Sequence, residues 1–225
     1  MKIKLILIIL ILGGFQKNLF SQIAIKAGYN ICDTKVPRSY SDKLNQEHSN
    51  GIVFGISFDQ KIYKSLHFQP EITYIEQGFE TITRLEYGTT VLALTETKYS
   101  YAQFQLLPSL LLFENRFFSS NILLGMYFGY LVNNRFINHE ISNPFPTRIN
   151  GKSTLELNPF DYGTIYGLQF SINAGKGKIV LEGKFANGLN DFDKMKSDNF
   201  YIKNIGFYGT IGYKFQLWKP NQLHQ

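Results

Sequence analysis

Residues 205–217 read IGFYGTIGYKFQL, and the apolar residues of this stretch recur at every second position. Successive side chains of a β-strand point to opposite faces, so a period of two predicts a strand with two different faces. The first face carries Ile205, Phe207, Gly209, Ile211, Tyr213, Phe215 and Leu217. The second carries Gly, Tyr, Thr, Lys and Gln. The two faces therefore meet different surroundings.

Seven other segments show the same alternation. They are residues 23–31, 51–59, 66–77, 99–113, 122–133, 162–173 and 179–186. In residues 66–74 and in the other seven segments, the apolar face contains no Asp, Glu, Lys, Arg or His. The opposite face is made mainly of Gly, Ser, Gln, Asn and Tyr with a few charges. A soluble sheet would instead carry many Lys, Glu and Thr residues on its polar face.

This asymmetry predicts a membrane barrel and not a soluble sandwich. A Lys or Arg in mid-bilayer costs about 2–4 kcal/mol, which explains a face free of charge. A sheet in lipid must also close, because an open edge would leave backbone groups without hydrogen-bond partners. We expect the following residues to face lipid: Ile52, Phe54, Ile56, Phe58, Leu124, Met126, Phe128, Leu168, Phe170, Phe207 and Ile211.

The connections between the segments alternate in length. Long polar connections span residues 32–50, 78–98, 134–161 and 187–204, and short ones span residues 60–65, 114–121 and 174–178. Long outer loops and short periplasmic turns are typical of outer-membrane barrels. The sequence thus predicts an all-β fold, a single eight-stranded antiparallel up-and-down transmembrane barrel. Thr-rich residues 80–98 favour a tall hairpin within the second long connection.

The N-terminus has the order of a secretory signal peptide. Lys2 and Lys4 precede an apolar run over residues 5–12, and a polar stretch follows to residue 22. The run is too short for a membrane-spanning helix, which needs about 20 residues. We predict a cleaved signal peptide at 1–21, a barrel at 22–218 and a short tail at 219–225. The expected location is the cell outer membrane.

Charge and cysteine content exclude several classes of function. Without Lys2, Lys4 and Lys17 the chain has 20 basic and 17 acidic residues, a formal net charge of +3, and the basic residues are scattered. We therefore expect no nucleic-acid partner. Cys32 is the only cysteine, so no disulfide forms within the chain. No metal or nucleotide motif is present, so we expect no cofactor, and we expect a monomer in contact with outer-membrane lipid.

Seven charged residues of the eight segments fall on the inward face. They are Lys26, Asp59, His67, Glu71, Glu182, Lys184 and Lys214. An eight-stranded barrel is just wide enough for side chains to fill its interior, so an open pore is not expected. Buried charges must pair there. We interpret the set as a structural ion-pair network, with a proton relay or a binding site as the alternative.

Several of the strands resemble those of a known family. Residues 66–74 (LHFQPEITY) are similar to its L-x-x-Q-P-E-hydrophobic-x-Y strand, and residues 106–111 (LLPSLL) to its I-P-L-L-L strand. Residues 125–131 (GMYFGYL) and 181–189 (LEGKFANGL) match two later strands. The chain thus resembles the PorT-like outer-membrane β-barrel proteins. At Pro70 and Pro108 we expect a bulge or a gap in the hydrogen-bond ladder. The resemblance implies that these two prolines are family traits.

Three functions follow as hypotheses. The first is a non-enzymatic envelope, binding or assembly role, with envelope or secretion proteins as partners at the outer loops. The second, implied by the family's namesake, is an accessory role in type IX protein secretion. The third is a barrel enzyme that modifies outer-membrane lipid, for which only His48-Ser49 and His139-Glu140, placed in the outer loops, could serve. We interpret both pairs as ordinary loop residues and predict no enzymatic activity.

Overall fold

A computed structural model describes residues 21–35, 46–87, 89–141, 147–151, 158–191 and 201–216. Residues 1–20 of the predicted signal peptide, the tail at 219–225 and Trp218 lie outside the described residues. The described residues form nine strands: β1 Ser21–Lys35, β2 Gln46–Tyr63, β3 Leu66–Tyr87, β4 Thr89–Glu114, β5 Phe118–Ile141, β6 Thr147–Gly151, β7 Phe160–Ala174, β8 Gly177–Gly188 and β9 Lys203–Gln216. Within this part of the chain no helix is long and apolar enough to cross a membrane.

Eight of the strands close into an antiparallel barrel, as predicted. Strands β1 to β5 and β7 to β9 pair in chain order, and β9 pairs with β1 to complete the ring. Each strand therefore has two neighbours along the barrel wall, and its backbone groups are hydrogen-bonded within the wall. The short strand β6 pairs only with the outer end of β5, through Phe136↔Gly151 to Glu140↔Thr147.

The periplasmic turns are short, and their residue types suit their geometry. Gly175 between β7 and β8 adopts a φ of 60°, a left-handed conformation that costs glycine little. Between β4 and β5 the Asn115 side-chain oxygen accepts hydrogen bonds from the backbone N–H groups of Phe117 and Phe118, both at 2.8 Å. The Asn115 side chain thus supplies hydrogen bonds to backbone groups of the turn, which lie beyond the last hydrogen bonds between the strands.

The tall hairpin predicted within residues 80–98 is present, and strand β5 is longer than the alternation predicts. Strands β3 and β4 remain paired from Gly78↔Lys98 out to Tyr87↔Thr89, and β5 continues along β4 to Leu92↔Ile141. Much of the sequence at 134–161 is therefore strand, where we expected loop. We use the term outer extension for residues 79–87 of β3, 89–97 of β4, 134–141 of β5, and β6.

Pro70 and Pro108 each interrupt one ladder, as expected. The β2–β3 ladder has partners at Ser57↔Glu71 and Gln60↔Phe68 but none opposite Pro70, and the register is the same on both sides. The β4–β5 ladder is likewise interrupted between Leu106↔Met126 and Ser109↔Leu123, beside Pro108. Because proline has no N–H to donate, the ladder loses bonds there without a bulge.

Candidate functional site

Four charged side chains meet in the middle of the lumen. Lys26 on β1 places its Nζ 2.6 Å from Glu71 Oε2 and 2.8 Å from Glu182 Oε2. Lys184 places its Nζ 2.7 Å from Glu71 Oε2 and 2.8 Å from Glu182 Oε2. Each of these side chains is at most 1% exposed. Two ammonium groups thus alternate with two carboxylates, and the formal charges of this central cluster cancel.

Two glutamines extend the central cluster. Gln69 donates from Nε2 to Glu182 Oε1 at 3.1 Å, and Gln169 donates to the same oxygen at 2.7 Å. Gln169 also donates to Gln69 Oε1 at 2.9 Å. Thr73 donates to Glu71 Oε1 at 3.0 Å. Both carboxylates are therefore saturated with donors, which buried charges require if they are to stay ionised.

Glycines on the inward face leave room for the long side chains of the central cluster. A Cβ at Gly55 would lie 2.9 Å from Glu71 Oε1, and one at Gly167 would lie 2.9 Å from Lys184 Cγ. A Cβ at Gly212 would lie 2.5 Å from Lys26 Cγ. The small residues of the polar face thus leave the space that its few long charged side chains fill.

A second charged group lies nearer the periplasmic end. Lys214 Nζ is 2.5 Å from Asp59 Oδ2, and His67 Nδ1 is 3.0 Å from Asp59 Oδ1. The hairpin that brings Asp59 and His67 together has a register shift between Lys61 and Tyr63. Lys214 also lies 3.5 Å from Gln169 Oε1, which connects this group to the central cluster. A cavity of about 310 Å³ opens beside it, lined by Lys61, Lys178 and Glu114 among others.

The outer half of the lumen is aromatic. Tyr99, Tyr101, Tyr127 and Tyr208 are buried with Val53, Ile75, Leu107 and Ile165, and Phe79, Leu131 and Ile202 pack against them. Tyr208 donates to Gln105 Oε1 at 3.3 Å, and Lys184 Nζ lies 5.7 Å from its ring centroid. The tyrosine rings therefore join the polar middle of the lumen to an apolar outer layer.

All seven predicted lumen residues lie inside the barrel, and the structure adds others. Gln69, Gln169 and Gln105 stand at inward positions of the alternating pattern, so the period of two locates them, but it does not identify their partners. The position of Asp161 corrects one prediction, because the sequence pattern places this residue in the outer connection at 134–161. It is the second residue of β7, and its side chain is buried in the lumen.

The eleven residues expected to face lipid all lie on the outer surface of the barrel, with exposed fractions from 36% to 58%. Tyr29, Tyr74, Tyr130 and Tyr162 are exposed at the outer border of the apolar band, and Phe58 and Phe215 at its inner border. Two aromatic rows thus border the apolar band, as membrane interfaces favour.

The predicted pair His48-Ser49 does not form a site. Both residues lie in β2 and not in a loop, so their side chains point to opposite faces. His48 is exposed and its Nδ1 is 3.2 Å from Asp33, whereas Ser49 is fully buried. His139 and Glu140 lie in β5, and their side chains are outside the described residues. The described residues contain no group of three or more His, Cys, Asp or Glu that could hold a metal ion.

The closed ring of eight strands, the apolar outer band and the polar interior define a class, the transmembrane β-barrels of outer membranes. The chain belongs to the family described as outer membrane protein beta-barrel domain, whose profile matches residues 16–194. It is therefore an outer-membrane protein.

Several solved barrels are similar to the chain. One is Ail, the attachment invasion locus protein of Yersinia pestis, whose structure was solved in complex with the heparin analogue sucrose octasulfate. Ail is 16% identical, and the match covers 87% of this chain and 99% of Ail, with a TM-score of 0.41. OprG of Pseudomonas aeruginosa is 11% identical, and the match covers 89% of this chain and 99% of OprG, with a TM-score of 0.48. Neisserial surface protein A is 9% identical, and the match covers 89% of this chain and 100% of the neisserial protein, with a TM-score of 0.43. No curated protein matches the sequence.

Proposed function

We propose that this protein is a sealed, non-enzymatic membrane anchor that presents its outer extension to a protein partner in the envelope. One observation carries the proposal: long side chains fill the middle and the outer half of the lumen. Lys26, Lys184, Tyr101, Tyr127 and Tyr208 are each at most 2% exposed. A barrel built for diffusion would need a wide, water-filled interior and more strands.

The outer extension supplies the surface that such an anchor would present. Beyond Tyr74, at the outer aromatic row, β3 continues to Tyr87, which corresponds to about 40 Å of strand. Four strands take part, because β4 is paired with both β3 and β5, and β5 with β6. Paired strands hold their backbone in a fixed arrangement, and a rigid surface loses less entropy on binding than a loop does.

The partner class that we favour is an envelope or secretion protein, as in the PorT-like family that the strands resemble. The Q-P-E segment of that resemblance places Gln69 and Glu71 in the central cluster, so it contributes to the sealed interior. Participation in type IX secretion is the more specific form of this proposal. The lipid-modifying alternative has less support, since His48 and Ser49 point to opposite faces of β2.

Two measurements test the proposal. The first is conductance of the purified protein in planar lipid bilayers, where we expect no stable channel. A steady single-channel current from the wild type would overturn the sealed lumen.

The second measurement is cross-linking of envelope proteins in the native bacterium. Residues 80–96 are replaced by Asn-Gly, a sequence suited to a tight hairpin turn next to the Phe79↔Thr97 pair. We expect the barrel to fold and its cross-linked partner to be lost. The matched control puts Asn-Gly in place of Gly175 and Lys176 at the periplasmic end, and it should keep the partner. Equal cross-linking in both variants would contradict a role of the outer extension, and a secretion component among the partners would support the type IX form.

A further inference from the structure

Asp161 is a buried carboxylate outside both charged groups described above. Its Oδ2 accepts hydrogen bonds from Tyr127 Oη at 3.1 Å and from Asn204 Nδ2 at 2.9 Å. Asp161 and Asn204 are each 2% exposed, and Tyr127 is fully buried. Both donors are neutral. The carboxylate is therefore held in place without a compensating charge.

The lysines described in the lumen are all paired with carboxylates other than Asp161. Lys26 and Lys184 are neutralised by Glu71 and Glu182, and Lys214 by Asp59. Among the described residues no Lys, Arg or His forms an ion pair with Asp161. One negative charge of the interior thus has no partner in this part of the chain, and burying a lone carboxylate is strongly unfavourable.

Oxygen atoms without hydrogen-bond partners surround this carboxylate. They are Asp161 Oδ1, Asn204 Oδ1 and the Tyr101 hydroxyl, all buried. Tyr101 lies close to Asp161 and to the Asn204 side chain. A water molecule could satisfy the hydrogen-bonding capacity of these oxygens but would leave the charge in place. A bound cation satisfies both requirements; a proton on the carboxyl group would also remove the charge, but only the cation makes folding stability depend on the salt.

Two glycines pack closely against the groups around this carboxylate. Asp161 is paired with Gly129 across the β5–β7 ladder, and a Cβ at Gly129 would lie 3.5 Å from the Asp161 carbonyl oxygen. At Gly188 on β8 a Cβ would lie 3.2 Å from the Tyr127 hydroxyl. A Cβ at Gly188 would also lie 2.7 Å from the Asn204 carbonyl oxygen, and one at Gly129 would lie 3.4 Å from the Tyr101 ring, so a larger residue at either position would displace the groups around the carboxylate.

We propose that Asp161, Asn204 and Tyr101 form a site for a single monovalent alkali cation in the outer half of the lumen. Oxygen ligands are those that hard cations prefer, and carbonyl-type oxygens can replace a hydration shell. One carboxylate with neutral oxygens balances one positive charge. A divalent ion would leave an excess of charge, and transition metals favour nitrogen and sulfur ligands that this site does not offer.

Thermal unfolding of the full chain in detergent micelles tests this site. The midpoint is followed by heat-modifiability on a gel, in sodium chloride and in N-methyl-D-glucamine chloride at equal ionic strength, so that screening is the same. We expect sodium to raise the midpoint of the wild type by about 5 °C in a saturable manner, because it binds only the folded state. An identical midpoint in the two salts overturns the proposal without any variant.

Two variants locate the effect. Asp161→Asn should abolish the sodium-dependent rise, since the amide removes the charge and keeps the shape. Asp59→Asn is the matched control: it breaks the pair with Lys214, so it should lower the midpoint in both salts and keep the rise. The ²³Na NMR line should be broader with wild type than with Asp161→Asn. A rise or a broadened line that persists in Asp161→Asn would contradict the assignment to this residue.

Discussion

Lys26 on β1 and Glu71 on β3 meet at 2.6 Å although strand β2 lies between them in the barrel wall. The contact passes over Gly55, which is the β2 partner of Lys26 and of Thr73. A side chain at position 55 would occupy the space that the Glu71 carboxylate uses. The ion pair across the lumen therefore depends on a residue that has no charge and makes no polar contact itself.

We predict that Gly55→Val destabilises the barrel by about 2–4 kcal/mol, because overpacking is added to the displacement of a buried charge from its partner. Unfolding by urea in micelles measures the effect. Gly183→Val is the matched control, since Gly183 faces outward and its Cβ would only touch the Phe207 ring at 3.4 Å. The control should change stability by at most about 0.5 kcal/mol. Equal losses in the two variants would argue against a steric role of Gly55.

Lys26→Met should cost about 3–5 kcal/mol of unfolding free energy, because it leaves one carboxylate of the central cluster buried without compensation. Adding Glu71→Gln should restore part of the loss, since Lys184 and Glu182 then remain as a neutral pair. Urea unfolding of both variants gives the coupling between the two positions.

The exposed pair of Lys178 and Glu114, 3.3 Å apart, provides the control. Lys178→Met should change stability by less than about 1 kcal/mol. A loss at Lys26 no larger than at Lys178 would contradict the importance of the central cluster.

Much of this architecture follows from the period of two alone. The alternation at Ile205–Leu217 separates the faces, and the same parity places Lys26, Glu71, Glu182 and Lys184 inside. It cannot say which of these charges meet, because pairs such as Lys26 and Glu182 are 156 residues apart and depend on the stagger of the closed barrel. The pattern also carries no information on strand ends in polar sequence, where β5 continues to Ile141.

Asp161 shows why one inward residue was missed. It precedes the alternating run that begins at Tyr162, and its neighbours Asn158 and Pro159 are typical of a loop. Pairing of Phe160 with Tyr130 on β5 extends the strand over Asp161 and turns its side chain inward. His48 and Ser49 were misplaced for a related reason, since β2 begins at Gln46, ahead of its apolar alternation.

We predict that an outward charge blocks assembly in a manner that depends on depth. Ile211→Arg, in the middle of the apolar band, should cost about 2–4 kcal/mol and reduce the folded fraction in lipid vesicles. Tyr63→Arg, which is also outward but lies beside the periplasmic turn, should cost at most about 1 kcal/mol. The folded fraction on a gel without boiling compares the two, and an equal effect would contradict the assignment of the band.

Spin labelling along β2 tests most directly which face of the barrel meets hydrocarbon. In a Cys32→Ser background, single cysteines at positions 52, 53, 54, 56, 57 and 58 are labelled with a nitroxide and reconstituted in lipid nanodiscs. We expect high collision rates with oxygen at 52, 54, 56 and 58, low rates at 53 and 57, and little contact with a water-soluble nickel chelate at any of them. High oxygen collision at 53 and 57, or nickel contact at 54 and 56, would contradict a barrel whose apolar residues face lipid.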